Sequence, residues 1–170
     1  LAQSCVNLFL VVAPRNVERG AEIAAMAARR GLSACRRSVG GAEGCSVLIL
    51  DTLGELASVY DLCDVAFVGG SLVPQRGHNP LEPAVHGKPV LFGPHMEDFA
   101  EISRDLLAVG GARQVLDAAG LRAELCLLLA DPTERQRAGR QAQELIATRR
   151  GVTEAHLALI RSVLAREARG

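Results

Sequence analysis

Short apolar runs alternate with amphipathic stretches along most of the chain. "LFLVVA" (8–13) has the length and unbroken apolar character of a buried strand. Pro14 ends it, because proline lacks the N–H that a ladder needs. Residues 17–30 then carry Ile23, Met26 and Ala27 on one helical face, up to Gly31. "SACRRS" (33–38) reads as a short strand and "SVLILD" (46–51) as a stronger one. Thr52 and Glu55 fit a capping box, in which hydroxyl and carboxylate satisfy each other's backbone N–H, and a short helix follows through Leu62. "DVAFVG" (64–69) and "PVLFG" (89–93) are two further strands, 97–109 is a helix, and "ARQVL" (112–116) is a last strand.

From Asp117 the pattern is helical to the end. Leu121, Leu125, Leu128 and Leu129 form one stripe, and Pro132 restarts the chain as a first-turn proline. Val152, His156, Leu159, Ile160, Val163 and Leu164 form a final stripe, with a hinge expected near Gly151. Alternating strands and helices predict a Rossmann-like, doubly wound α/β domain with a parallel sheet of five or six strands. The expected division is one domain over residues 1–150 and a C-terminal helix over 151–170. Such sheets bind ligands at the carboxyl ends of their strands, which narrows the search to a few loops.

Composition changes this picture little. The 170 residues are 49% hydrophobic and 22% charged, with zero formal net charge. That balance provides no global field for nucleic acid or an anionic membrane. Cysteines stand at 5, 35, 45, 63 and 126, an odd number with no C-x-x-C pair. Reduced thiols are expected, with no disulfide framework and no bound metal. No apolar run reaches the ~18 residues of a membrane span, and there is no signal-peptide pattern.

Three strand ends carry candidate chemistry. After the first strand, Arg15 follows Pro14; it either binds a phosphate or carboxylate as a fork or pairs with Glu18 or Glu22. After the third, "DTLGEL" either opens a helix able to receive an anion or a base carbonyl, or is a capped helix and nothing more. After the fourth comes "GGSLVPQRGHNPLEP", where Asn79, Pro80 and Glu82 fit N-cap, N1 and N3 of the next helix. Its glycines permit close approach, and Glu82 adds an acceptor suited to ribose hydroxyls. P-loop, dinucleotide-fingerprint and nucleophile-elbow motifs are all absent. His78, His86 and His95 lack a metal-ligand spacing.

The strings "APRNVERG", "RRS" and "LDTLGELASVYDLCDVAFVGGSLVPQRGHNPLEPAVHGKPVLFGPHMEDFAEI" together resemble the lipid A Kdo (3-deoxy-D-manno-octulosonic acid) transferase family. The likeness is to its C-terminal half, well over Leu8 to Ala119 and more loosely beyond. The resemblance implies half of a glycosyltransferase-B fold that binds the donor, CMP-Kdo, with no metal and no cofactor. The implied reaction inverts the anomeric carbon and forms lipopolysaccharide precursors. It also implies that the general base, the lipid A precursor site and a membrane-associated helix lie in an N-terminal half, so no catalytic residue falls here and this chain alone is inactive. The full-length protein would sit at the cytoplasmic face of the inner membrane, with this portion soluble and its last helix packing toward the N-terminal half.

Carried over, the implied CMP contacts are Pro14 and Arg15, then Leu53, Gly54 and Glu55, then Asn79, Pro80, Leu81 and Glu82. Arg15 would neutralise the phosphate, the Gly54–Glu55 turn would meet the cytosine edge, and Glu82 would accept from the ribose. Gly70, Ser71, Gly77 and His78 are candidates for the sugar side. Asn16 stands where the family has histidine, Asp98 where it has asparagine, and Leu53 where methionine is common. Asp98 would place a negative charge near an anionic donor. The alternative is the donor module of another nucleotide-sugar transferase or epimerase.

Overall fold

The structure is a computed structural model that describes residues 8–149. The boundary expected at 150, the hinge near Gly151 and the final apolar stripe lie outside the described residues. The chain divides after Cys63 into two compact units.

The first unit runs β1 (Leu10–Val12), a 3-10 turn (Val17–Arg19), α1 (Gly20–Ala28), β2 (Ala34–Arg36), β3 (Val47–Ile49) and α2 (Leu56–Leu62). Its three strands are all parallel, in the order β1-β3-β2. Val12 and Arg36 both stand opposite Ile49. The central strand carries the burial, with Val47 and Ile49 inside and Leu50 and Asp51 buried just beyond its end. The middle strand of a parallel ladder is covered most completely, and the apolar centre of "SVLILD" supplies that burial. α1 packs on β2 and β3. Its first residue, Gly20, lies so close to β3 that a methyl group there would come within 2.5 Å of Asp51 Oδ2.

The second unit runs β4 (Ala66–Phe67), α3 (Leu81–Val85), β5 (Val90–Phe92), a 3-10 turn (Glu97–Phe99), α4 (Ala100–Ala108), β6 (Ala112–Gln114), α5 (Ala118–Ala130) and α6 (Pro132–Arg149). Its strands are parallel in the order β4-β5-β6. β5 is central and wholly buried, and Phe92 with Val68, Ala84, Ile102, Leu106, Ala142 and Ile146 makes the core. α6 reaches that core through small residues. Gly139 meets the backbone of Gly87 so closely that an added methyl would lie 2.0 Å from its carbonyl oxygen. Asp117 caps α5 by accepting from the N–H of Gly120, and Asp131 caps α6 by accepting from Thr133 and Glu134.

Among the described residues six strands appear where the sequence predicts them, all in parallel pairs, but they form two ladders of three where a single sheet of five or six is expected. Two helix starts differ from expectation. Thr52 does not cap a helix: Gly54 takes φ +84°, which breaks helical continuity, and α2 begins only at Leu56 with no side-chain cap. Thr52 Oγ1 instead donates to the carboxylate of Glu55 at 2.7 Å. α3 begins at Leu81, one residue later than the cap pattern places it. The Asn79 side chain still accepts from the Leu81 N–H at 3.0 Å, so its capping role survives the shift. Among the described residues, no helix is long and apolar enough to cross a membrane.

Candidate functional site

In the first unit the candidate residues follow β1 and β3. Pro14 releases the chain from the ladder, and Asn16 Oδ1 accepts from the Glu18 N–H to cap the 3-10 turn. Arg15, between them, is exposed and makes no hydrogen bond or ion pair among the described residues. Of the two internal partners open to it, Glu22 is already taken, since Arg19 holds it through both Nε and Nη2, and Arg15 makes no ion pair with Glu18. A guanidinium without an internal partner keeps its full fork for an external oxyanion.

The loop after β3 is held from below. Asp51 is buried and accepts three bonds: from Arg36 Nε at 2.7 Å, Ser38 N at 2.9 Å and Ser38 Oγ at 2.7 Å. Burial opposes ionisation, but the Ser38 bonds and then Arg36 outweigh it and bring the carboxyl down to about 2. Asp51 is therefore an anchor with no free acceptor turned outward. Above it, Glu55 accepts from Thr52 Oγ1 and from Arg37 Nε at 2.8 Å, and these two bonds, Thr52 first, lower its pKa. Between the anchors the loop is open: Leu53 is 83% exposed, and nothing lies within 4 Å of where a Gly54 side chain would begin. A large apolar side chain left in water and an unobstructed backbone are what a planar ring can stack on and hydrogen-bond to.

In the second unit the candidate residues follow β4. Two backbone bonds, Gly77 N to Gly70 O and His78 N to Gly69 O, close the ends of a loop over residues 69–78. Ser71 is fully buried; its hydroxyl donates to Val68 O at 2.6 Å and accepts from Gly93 N at 2.8 Å. With both bonds internal, Ser71 fixes the loop and presents nothing to a sugar. Gly77 lies at φ +69°, pressed so hard on Met96 and the His95 carbonyl that any side chain would collide. Gly70 takes φ +70° beneath the ring of the exposed His78. The loop runs directly into Asn79, whose Nδ2 also donates to the exposed Glu82 at 3.2 Å. Pro80 is buried and Leu81 half-buried, so side-chain access in this segment belongs to Asn79 and Glu82.

Three features have no local sequence signal. Asp98, expected as a bare negative charge, is paired with Arg76 through Nε at 2.7 Å and through Nη2, which lowers its pKa. Arg37 and Arg36 reach Glu55 and Asp51 across 18 and 15 residues. Arg76 itself stands at φ +65°, the one non-glycine residue at positive φ among the described residues. Among the described residues no group of His, Cys, Asp or Glu is arranged to hold a metal ion.

No family model matches the chain. It is 37% identical over 163 residues to the 3-deoxy-D-manno-octulosonic acid transferase of Haemophilus influenzae, covering 94% of this chain and 38% of that protein. It is 37% identical over 148 residues to the Bordetella pertussis transferase of the same name, covering 85% and 35%. The chain thus spans little more than a third of the length of these relatives. The crystal structure of the C-terminal CMP-Kdo binding domain of WaaA from Acinetobacter baumannii superposes with a TM-score of 0.76 at 33% identity, over 82% of this chain and 74% of that one. Three-quarters of a solved domain is thus matched in fold at 33% identity. The chain belongs to the 3-deoxy-D-manno-octulosonic acid transferase family and corresponds to its C-terminal, Rossmann-like domain.

Proposed function

We propose that this chain is the donor-binding domain of a Kdo transferase and that it holds CMP-Kdo through its nucleotide. The observation that carries this is the match to a CMP-Kdo binding domain over most of both chains. Local geometry supports it residue by residue. In the first unit, Arg15, without a partner among the described residues, is the fork for the phosphate, with Pro14 setting its backbone. Leu53 and Gly54 offer an apolar face and open backbone to the cytosine, and Glu55 stiffens that loop. In the second unit, Glu82 and Asn79 offer acceptors and donors to ribose hydroxyls, with Pro80 and Leu81 fixing their backbone.

For the whole protein, the family supports transfer of Kdo from CMP-Kdo to a lipid A precursor at the inner membrane, without a metal. The base that deprotonates the acceptor hydroxyl then comes from outside this chain. This domain contributes donor orientation and stabilisation of the departing phosphate.

Calorimetric titration with CMP tests the reading. Wild type is expected to bind CMP in preference to UMP and UDP. Arg15→Ala is expected to weaken CMP binding about tenfold, the scale of one charged hydrogen bond. Equal affinity of the two proteins for CMP, or a preference for UDP, would remove the assignment.

A further inference from the structure

Resting on that reading, we infer that Arg76 is the carboxylate-binding residue of this domain and reads the acid group of the donor sugar. An octulosonic acid carries a carboxylate, so a donor site for it needs a cation beyond the one that meets the phosphate. Arg76 is the residue whose presence the fold itself does not explain. Its backbone at φ +65° lies in the left-handed region, where a bulky side chain is strained and glycine is at ease. Such strain persists where function demands the side chain.

The ion pair with Asp98 does not account for it. Arg76 is 63% exposed and Asp98 49% exposed, and pairs this wet add too little to offset the backbone strain. The pair does orient the guanidinium. Nε and Nη2 both converge on one oxygen, Asp98 Oδ1. Glu97 also acts on the guanidinium through its charge but makes no hydrogen bond to it, and Nη1 meets no acceptor among the described residues, so the Nη1–Nη2 edge has no further hydrogen-bond partner. Asp98 thus acts as a positioning residue that fixes the direction of the open edge.

The mount is rigid. The loop ends are tied at Gly69–His78 and Gly70–Gly77, Ser71 is bolted to Val68 and Gly93, and Gly77 is seated on Met96. Arg76 therefore leaves a fixed frame three residues before Asn79, beside the exposed His78. A preformed cation on a stiff loop loses little entropy on binding and can favour a charged sugar over an uncharged one.

The test compares freshly prepared CMP-Kdo with CMP on wild type and on Arg76→Gly, in the whole chain. Glycine suits this φ, so the variant is expected to melt at or above the wild-type temperature. Wild type is expected to bind CMP-Kdo more tightly than CMP. Arg76→Gly is expected to lose about tenfold in CMP-Kdo affinity while CMP affinity stays unchanged. An undiminished margin for CMP-Kdo in the variant overturns the inference. So does a wild type with no such margin, or an equal loss for both ligands, which would tie Arg76 to the nucleotide. Wild type that binds no CMP at all overturns the donor-domain reading itself, a distinct and separately visible failure.

Discussion

Asp51→Asn probes the anchor beneath the Leu53–Glu55 loop. The carboxyl sits at about 2 in the folded chain against an ordinary value of 3.8. Nearly two pKa units at ~1.4 kcal/mol each amount to about 2 kcal/mol by which folding favours the ionised form. Asparagine offers one acceptor where the carboxylate satisfies Arg36 Nε, Ser38 N and Ser38 Oγ. Some of those donors lose their partner, and the expected total loss is about 3 kcal/mol at neutral pH. Because the folded pKa lies below the unfolded one, the wild-type contribution is complete above about pH 4 and fades as the pH falls toward about 2. The gap between wild type and Asp51→Asn should therefore narrow across that window. Guanidinium unfolding of both proteins at about pH 7, 4 and 3 reads it directly. A variant within about 0.5 kcal/mol of wild type at neutral pH, or a gap independent of pH, refutes the anchoring argument.

Two further substitutions separate frame from contact. Gly93→Ala puts a methyl 2.2 Å from the Ser71 carbonyl oxygen and 2.6 Å from Leu72 N, both backbone atoms of a pinned loop. Chemical denaturation should show a loss of about 3 kcal/mol, the upper end of ordinary overpacking. Arg15→Ala removes no contact to a partner among the described residues, so its unfolding free energy should stay within about 0.5 kcal/mol of wild type while its CMP affinity falls.

Much of this architecture is legible in the sequence because its strands are short, apolar and punctuated. Pro14, Asp117 and Pro132 mark element boundaries through local chemistry, and the structure places those boundaries where they predict. Asn79 also reads through, because a cap bonds two residues away. What fails to read is contact between distant residues. Thr52–x–x–Glu55 has the spacing of a capping box, yet Gly54 at φ +84° and Arg37, 18 residues upstream, turn it into a braced loop. Ser71 has the position of a sugar contact, and only its burial against Gly93, 22 residues on, shows it to be a bolt. Asp98 looks like a misplaced charge until Arg76 is found beside it. The division of six strands into two ladders of three is non-local in the same sense.

The central claim is that residues 14–15, 53–55 and 79–82 hold a cytidine monophosphate. Titration of isotope-labelled chain with CMP, followed by amide NMR, tests it most directly. Saturable shifts confined to those segments and their immediate neighbours are the predicted result, with the shifts at residues 14–15 collapsing in Arg15→Ala. Shifts that are absent, or that saturate elsewhere in the chain, would contradict the account.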